Sequence, residues 1–329
     1  MHRVLVIANN LSQASFRVRI AALAPLLAER GFQLDVQLRP RGFFSGPRLY
    51  QLFRSARDAH AVILQRKLLD PWEAALLRRH ARKILYDVDD AVMYHNRPVG
   101  RISRWRTDRR FRATAAVLDH VVAGNEYLAD VFRQQGRSAT VIPTMVDCAR
   151  YTSKAHQPTN TPRLVWIGSN STLNYLEKFM PMIEQAAGTV RRLRLLTIAD
   201  KTVGSAVFPV EHEPWSEKIE AAALGRGDIG IAPTPSDQWT LGKCGFKILQ
   251  YKAAGLPVIA SPVGANEQIV QDGVTGLLPR EPSEWPGAIA KLAGDPELRA
   301  RMGKAGRELA ATRYSLAVAA DQWARLLED

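Results

Sequence analysis

Short, nearly uninterrupted apolar runs recur along the whole chain, each followed by a loop and a stretch of helical periodicity. They fall near residues 3–8, 34–38, 61–64, 84–88, 121–123 and 139–142, and again near 164–167, 193–198, 229–232, 258–260 and 276–278. Runs of this length, apolar on both faces, are what strands of a helix-covered parallel sheet require. A strand-then-helix rhythm kept over the whole chain predicts an α/β protein with parallel sheets.

At 329 residues the chain exceeds one ordinary core. A polar stretch over residues 151–162, rich in Thr, Pro, Asn and Gln, divides the two groups of strands. The expectation is an N-terminal Rossmann-like domain over 1–150 and a second over 151–312. A closing helix over 313–329 is expected to pack back toward the first. Two cysteines, Cys148 and Cys244, are too few for a disulfide framework or a thiolate zinc site and fit a reducing compartment. The opening residues read as a strand rather than a secretory leader, and no apolar stretch approaches the roughly eighteen residues of a membrane span. A cytoplasmic protein is expected, at most peripheral on the inner face of a membrane.

The stretch GKCGFKILQYKAAGLPVIASPVG at residues 242–264 carries the most chemistry. Gly242 and Gly245 open a helix, and Gly255 and Pro257 end it before a buried strand. The first-turn amides at Gly245, Phe246 and Lys247, with the positive end of the helix dipole, suit a phosphate. Lys243 and Lys247 add full charges there, and Gln250 lies one turn further on. The plain alternative is a packed helix whose lysines are solvated.

This stretch, with the runs DIGIA at 228–232 and DGVTGLL at 272–278, resembles the donor-binding domain of family 4 glycosyltransferases. The likeness continues more weakly through WIGS at 166–169 back to VIPT at 141–144. The resemblance implies the GT-B fold, two tandem Rossmann-like domains with a cleft between them. It also implies retaining transfer from a nucleotide-diphosphate sugar, with no metal and no cofactor beyond that donor substrate. Carried over by position, the ribose-binding carboxylate falls on Gln250 and the sugar-binding carboxylate on Gly242, with Asp237 the nearest substitute acid. The diphosphate falls on the amides around Phe246 and on Lys247. The basic pair the family often carries after the first strand of this domain is replaced here by Gly168 and Ser169.

In the first half, Asp87, Asp89 and Asp90 follow a buried strand, where a GT-B protein would contact the reacting sugar or acceptor; His95 is a more distant member of this catalytic set. A paired-carboxylate site of the GT-A type, holding a divalent metal, is disfavoured by the donor-like second half. N-caps or partners for the abundant arginines are the plain roles for each Asp. The loop over residues 9–16 lacks a dinucleotide fingerprint. Ser15, Arg17 and Arg19 there are placed on the acceptor side, a glycan or lipid-linked molecule. If the leaving diphosphate deprotonates the acceptor, the protein mainly positions both substrates and stabilises charge. A sugar-nucleotide epimerase and a non-catalytic sugar-nucleotide-binding subunit are the alternatives, the latter suggested by Gln250 and Gly242.

The net charge of +13 lies wholly in residues 1–154. Seven arginines crowd residues 97–112, with Ile102, Trp105 and Phe111 between them. Such a mixture suits an anionic membrane surface, although an Arg-rich surface without a partner is the alternative; no nucleic-acid module is visible, and none is expected as a partner. Residues 42–54 also interleave aromatics, among them Phe43 and Phe44, with arginines. There Leu49, Leu52 and Phe53 share one helix face, read as packed on the sheet.

Overall fold

The computed structural model describes residues 1–40 and 46–328; Phe43 and Phe44 lie outside the described residues. Along the chain run β1 (His2–Ala8), α1 (Ala14–Arg19), α2 (Ala24–Glu29), β2 (Phe32–Leu38), α3 (Gly46–Arg54), β3 (Ala61–Gln65), α4 (Pro71–His80), β4 (Ile84–Val88), α5 (Arg101–Val117), β5 (His120–Ala123), α6 (Glu126–Arg133) and β6 (Ala139–Val141). Then come β7 (Arg163–Ile167), α7 (Asn170–Ala187), β8 (Arg194–Ile198), β9 (Val210–Glu213), α8 (Glu220–Leu224), β10 (Ile229–Ala232), α9 (Gln238–Leu241), α10 (Phe246–Ala253), β11 (Val258–Ala260), α11 (Ala265–Ile269), β12 (Gly276–Leu277), α12 (Trp285–Gly294), α13 (Pro296–Arg313) and α14 (Leu316–Glu328).

The chain forms two units. Unit 1 is Met1–Thr144 with Asp237–Cys244 and Leu316–Asp329; unit 2 is Met145–Ser236 with Gly245–Ser315. Each holds a six-stranded sheet whose strand pairs are parallel, in the order β2-β1-β3-β4-β5-β6 and β12-β11-β10-β7-β8-β9. These are Rossmann-like sheets. In such a sheet ligands gather where the strand order reverses, beyond the carboxyl ends of the strands. That point falls between β1 and β3 in unit 1 and between β7 and β10 in unit 2.

The apolar runs explain the burial. The five residues of β3 and of β4 are all buried, as are the four of β10. In unit 2 the alternation along β7 sends Val165 and Ile167 to one apolar cluster and Leu164 and Trp166 to the other, one per face. Tyr251 of α10 fixes this sheet at its carboxyl end. Its hydroxyl accepts from the Ile167 amide (3.0 Å) and donates to the Ile231 carbonyl (3.1 Å), joining β7 to β10. Its ring lies where a Cβ on Gly230 would stand, 2.5 Å away, so the strand must carry glycine there.

In unit 1, α14 packs beside α2. Arg30 pairs with Asp321, Lys83 donates to the Leu326 carbonyl at 2.6 Å, and His60 hydrogen-bonds the Leu327 carbonyl. Trp323 and Leu327 are buried there. The helical stretch after β1 is two short helices, α1 and α2, with a 3-10 turn between them, and Pro25 sits in the first turn of α2.

Candidate functional site

Both switch points collect polar residues, and each belongs to its own unit. In unit 1 the centre is a fully buried ion pair. Asp87, at the end of β4, accepts from Arg19 Nε (2.9 Å) and Nη2 (2.7 Å) on one oxygen and from Gln65 Nε2 (3.3 Å) on the other. Arg19 also donates to the Ile142 carbonyl at 2.9 Å, and neither side chain of the pair is exposed. Burial alone would lower the Arg19 pKa, but the Asp87 carboxylate against it holds it above the ordinary arginine value. Asp87 and Arg19 thus engage one another rather than a ligand. Arg19, expected on the acceptor side, is instead fully buried and held by Asp87 and the Ile142 carbonyl.

Around this pair lies a second tier. Arg66, the residue after β3, donates to Ser15 Oγ (2.9 Å) and to Asp90 (2.8 Å), and its Nε stands 3.3 Å from Asp89. Its backbone is left-handed, with φ at 53°, a conformation costing a non-glycine residue on the order of 1–2 kcal/mol. Burial pushes the Asp89 carboxyl up to about 6, against the pull of Arg66 and Arg19. Asp90 also pairs with Lys243 at 3.0 Å. Each of these aspartates is met by a protein cation, and among the described residues no group of three or more His, Cys, Asp and Glu is arranged to hold a metal. His95 is exposed and bonds Thr107 of α5 at 3.0 Å, not the carboxylates. Arg17 is half-buried on α1.

The segment Asp237–Cys244 is held in the same unit. Asp237 caps α9, accepting from the Thr240 amide (2.7 Å) and hydroxyl (3.0 Å), so the proposed substitute acid serves as an N-cap. A Cβ on Gly242 would fall 2.5 Å from that of Ala91, and one on Gly124 would fall 2.3 Å from Cys244 Sγ. Close packing therefore accounts for the missing carboxylate at 242. Asn125 donates to both the Leu241 and Lys243 carbonyls (3.0 Å each) while its oxygen caps α6 at the Leu128 amide. Lys243, expected on a diphosphate, instead pairs with Asp90 and stands over the Trp239 ring at 5.0 Å.

In unit 2, the residue before α10 is Gly245, left-handed at φ 64° and ψ 23°, and a Cβ on it would fall 2.5 Å from Ile269. Both facts demand glycine. The Ile248 amide donates to the Gly245 carbonyl (2.9 Å) in the first turn of α10. Lys247 holds its ammonium over the Trp166 ring, 4.5 Å from the centroid, and a Cβ on Gly168 would meet that same ring at 2.4 Å. Trp166 thus brings Lys247 and Gly168 together at the carboxyl end of β7. Ser169 precedes α7 at its N-cap position, its hydroxyl 2.8 Å from that of Ser171. Gln250 departs from expectation: it is buried, 3% exposed, and its amide donates to the Tyr151 hydroxyl at 3.2 Å. The position expected to bind ribose is turned into the packing of unit 2.

Arg66, Asn125, Trp166 and Tyr251 were not singled out by sequence. Arg66 and Asn125 are readable in hindsight, since each follows a strand at its carboxyl end and Asn125 has the composition of an N-cap.

The model for the family described as Glycosyl transferases group 1 matches residues 161–295. The alpha-D-kanosaminyltransferase of Streptomyces kanamyceticus is 28% identical over 116 residues, 35% of this chain and 29% of that protein. The D-inositol 3-phosphate glycosyltransferase of Corynebacterium glutamicum (strain R) is 40% identical over 174 residues, 52% of this chain and 36% of that one. The chain thus spans about a third of the length of these curated relatives. The crystal structure of Anabaena HepE in complex with UDP and glucose superposes with a TM-score of 0.74, covering 100% of both chains at 14% identity. With two parallel Rossmann-like sheets and this likeness, the chain has the GT-B fold, and its residues 161–295 match the glycosyl transferases group 1 family.

Proposed function

We propose that the protein transfers a sugar from a nucleotide-diphosphate sugar to a glycan or lipid-linked acceptor, with retention and without a bound metal. The observation that carries this reading is the start of α10. A left-handed glycine opens α10, and the Lys247 ammonium is held over the Trp166 ring that also lies against Gly168, at the carboxyl end of β7. Amides and an ammonium together match a diphosphate, which gathers negative charge as the bond from the anomeric carbon to its oxygen breaks. The acceptor oxygen bonds that carbon on the same face, and its proton passes to the departing diphosphate. No protein nucleophile is required. Asp89, Asp90 and Arg66 are the acceptor-side groups of unit 1, with Asp87 and Arg19 positioning them.

A second reading, a sugar-nucleotide-binding subunit without transfer, is favoured by Gln250 facing Tyr151 and Gly242 facing Ala91. Thermal shifts with UDP, GDP, ADP, TDP and CMP, with and without Mg²⁺, test both, with UDP first because HepE is seen with it. Selective, Mg²⁺-independent stabilisation by one diphosphate, absent from Lys247→Ala, supports the donor site. No stabilisation by any nucleotide overturns it. Binding without donor hydrolysis or transfer to any acceptor moves the protein to the second reading.

A further inference from the structure

The α5 helix has two unlike faces. At 100° per residue, Phe111, Thr114 and Ala115 lie on one side and are buried. From that side Thr114 Oγ1 accepts from the Leu69 amide (2.7 Å), and Arg110 grips Asp70 at 2.7 Å. The opposite arc, about 140° wide, holds Arg101, Arg112, Trp105, Arg109, Ile102 and Arg106 in angular order. On this arc two large apolar side chains stand side by side among the arginines, Ile102 69% exposed and Trp105 58% exposed. Arg109 stacks on Trp105 with its guanidinium carbon 5.6 Å from the ring centroid, and Arg112 pairs with Asp108. Arg101, Arg104 and Arg106 stand exposed. Residues 97–112 carry seven arginines against one acid, Asp108.

We propose that the outer face of α5 docks on an anionic phospholipid bilayer, with Ile102 and Trp105 entering the headgroup–acyl boundary and the arginines meeting lipid phosphates. The charge is complementary to an acidic leaflet, and the two apolar side chains are ringed by the cations that would hold them there. Ring stacking on nucleic-acid bases would engage Trp105 but leave Ile102 in water, so a bilayer accounts for more of the face. The inference is independent of the transfer reaction and concerns no nucleotide.

The test is flotation of the full chain with phosphatidylcholine vesicles, with and without 30 mol% phosphatidylglycerol as probe, at low and high salt. The wild type is expected to bind the anionic vesicles only, and high salt to release it. Arg101→Glu/Arg106→Glu is expected to weaken binding by about 30-fold or more, since each surface cation contributes about fivefold. Ile102→Ser/Trp105→Ser is expected to weaken it by roughly tenfold with the salt dependence kept. All four side chains are exposed, so both variants should keep the wild-type melting temperature. Lys178→Glu/Lys201→Glu, exposed residues of unit 2, makes the same charge change elsewhere and should bind as wild type. Absence of binding to anionic vesicles at low salt overturns the proposal. So does equal loss in the unit 2 variant, which would make net charge the cause. Binding of single-stranded RNA that is tighter than vesicle binding and lost in the same α5 variants would overturn it in favour of nucleic acid.

Discussion

Units 1 and 2 both bring charge to the carboxyl ends of a parallel sheet, but they handle it in opposite ways. In unit 1 acid meets base at contact distance: Asp87 with Arg19, Asp90 with Arg66 and Lys243, Asp89 beside Arg66. In unit 2 the Lys247 ammonium is held over an indole. A ring face attracts a cation without neutralising it. Ion pairs buried at contact distance fix geometry, and a cation held over a ring face is given a direction by it. Unit 1's buried pairs thus carry a structural burden, and Lys247, half-buried over Trp166, is the unit 2 charge proposed to bind.

The sharpest way to break that assignment is Arg19→Met. With neither partner exposed, removing the guanidinium leaves the Asp87 charge buried and unpaired, with only the Gln65 amide donating to it among the bonds described, and breaking such a pair costs about 3–5 kcal/mol. Urea denaturation should show a loss of that size, and Arg19→Met/Asp87→Leu should recover much of it. A wild-type midpoint for Arg19→Met would mean that unit 1's buried charge is not structural.

Gly245→Ala ranks next. The substitution meets a left-handed backbone, worth about 1–2 kcal/mol, and a Cβ that would stand 2.5 Å from Ile269 Cδ1. A melting temperature below wild type and a missing diphosphate response are expected together, because the same turn supports the fold and aims the amides. Lys247→Ala separates the two. It should leave stability near wild type and weaken diphosphate binding by about 10- to 100-fold by titration calorimetry, the range of a charge-assisted hydrogen bond. An unchanged dissociation constant would remove the functional half of the contrast.

What the sequence made legible follows the same division. Apolar runs give strands because a doubly covered sheet needs them, and among the described residues eleven of twelve strands stand near the expected places. The exception, β9, reads VEHE: it lies at the sheet edge beside β8, where charged residues face water and no apolar signal survives. Gly245 and Lys247 were readable because backbone geometry and dipole act locally. The partners of Asp87, Asp90, Gln250 and Lys243 were not. Each bond spans a long separation, 68 residues for Arg19 to Asp87 and 99 for Gln250 to Tyr151. Nothing in the local pattern distinguishes a carboxylate awaiting substrate from one already matched by an arginine.

The smallest effect tests the one carboxylate that sits between the two behaviours. Asp89 touches Arg66 only at 3.3 Å, and burial raises its pKa to about 6. An unfolded aspartate titrates near 3.9. Between these values the folded protein binds more protons than the unfolded chain, so stability falls as pH rises from about 4 to about 6, then levels off. Asp89→Asn cannot ionise. It should flatten that segment of the stability curve and add on the order of 1–2 kcal/mol at pH 7, read from urea midpoints at pH 4, 5, 6 and 7. A group kept ionised by a cation would behave oppositely, losing stability as pH falls. If Asp89→Asn is destabilising at pH 7, Asp89 is bound as tightly as Asp87 and belongs with the structural pairs. If it is stabilising, Asp89 is strained in its ionised form, a condition that a substrate hydroxyl donating to it would relieve, and unit 1 then holds one group that is not fully matched.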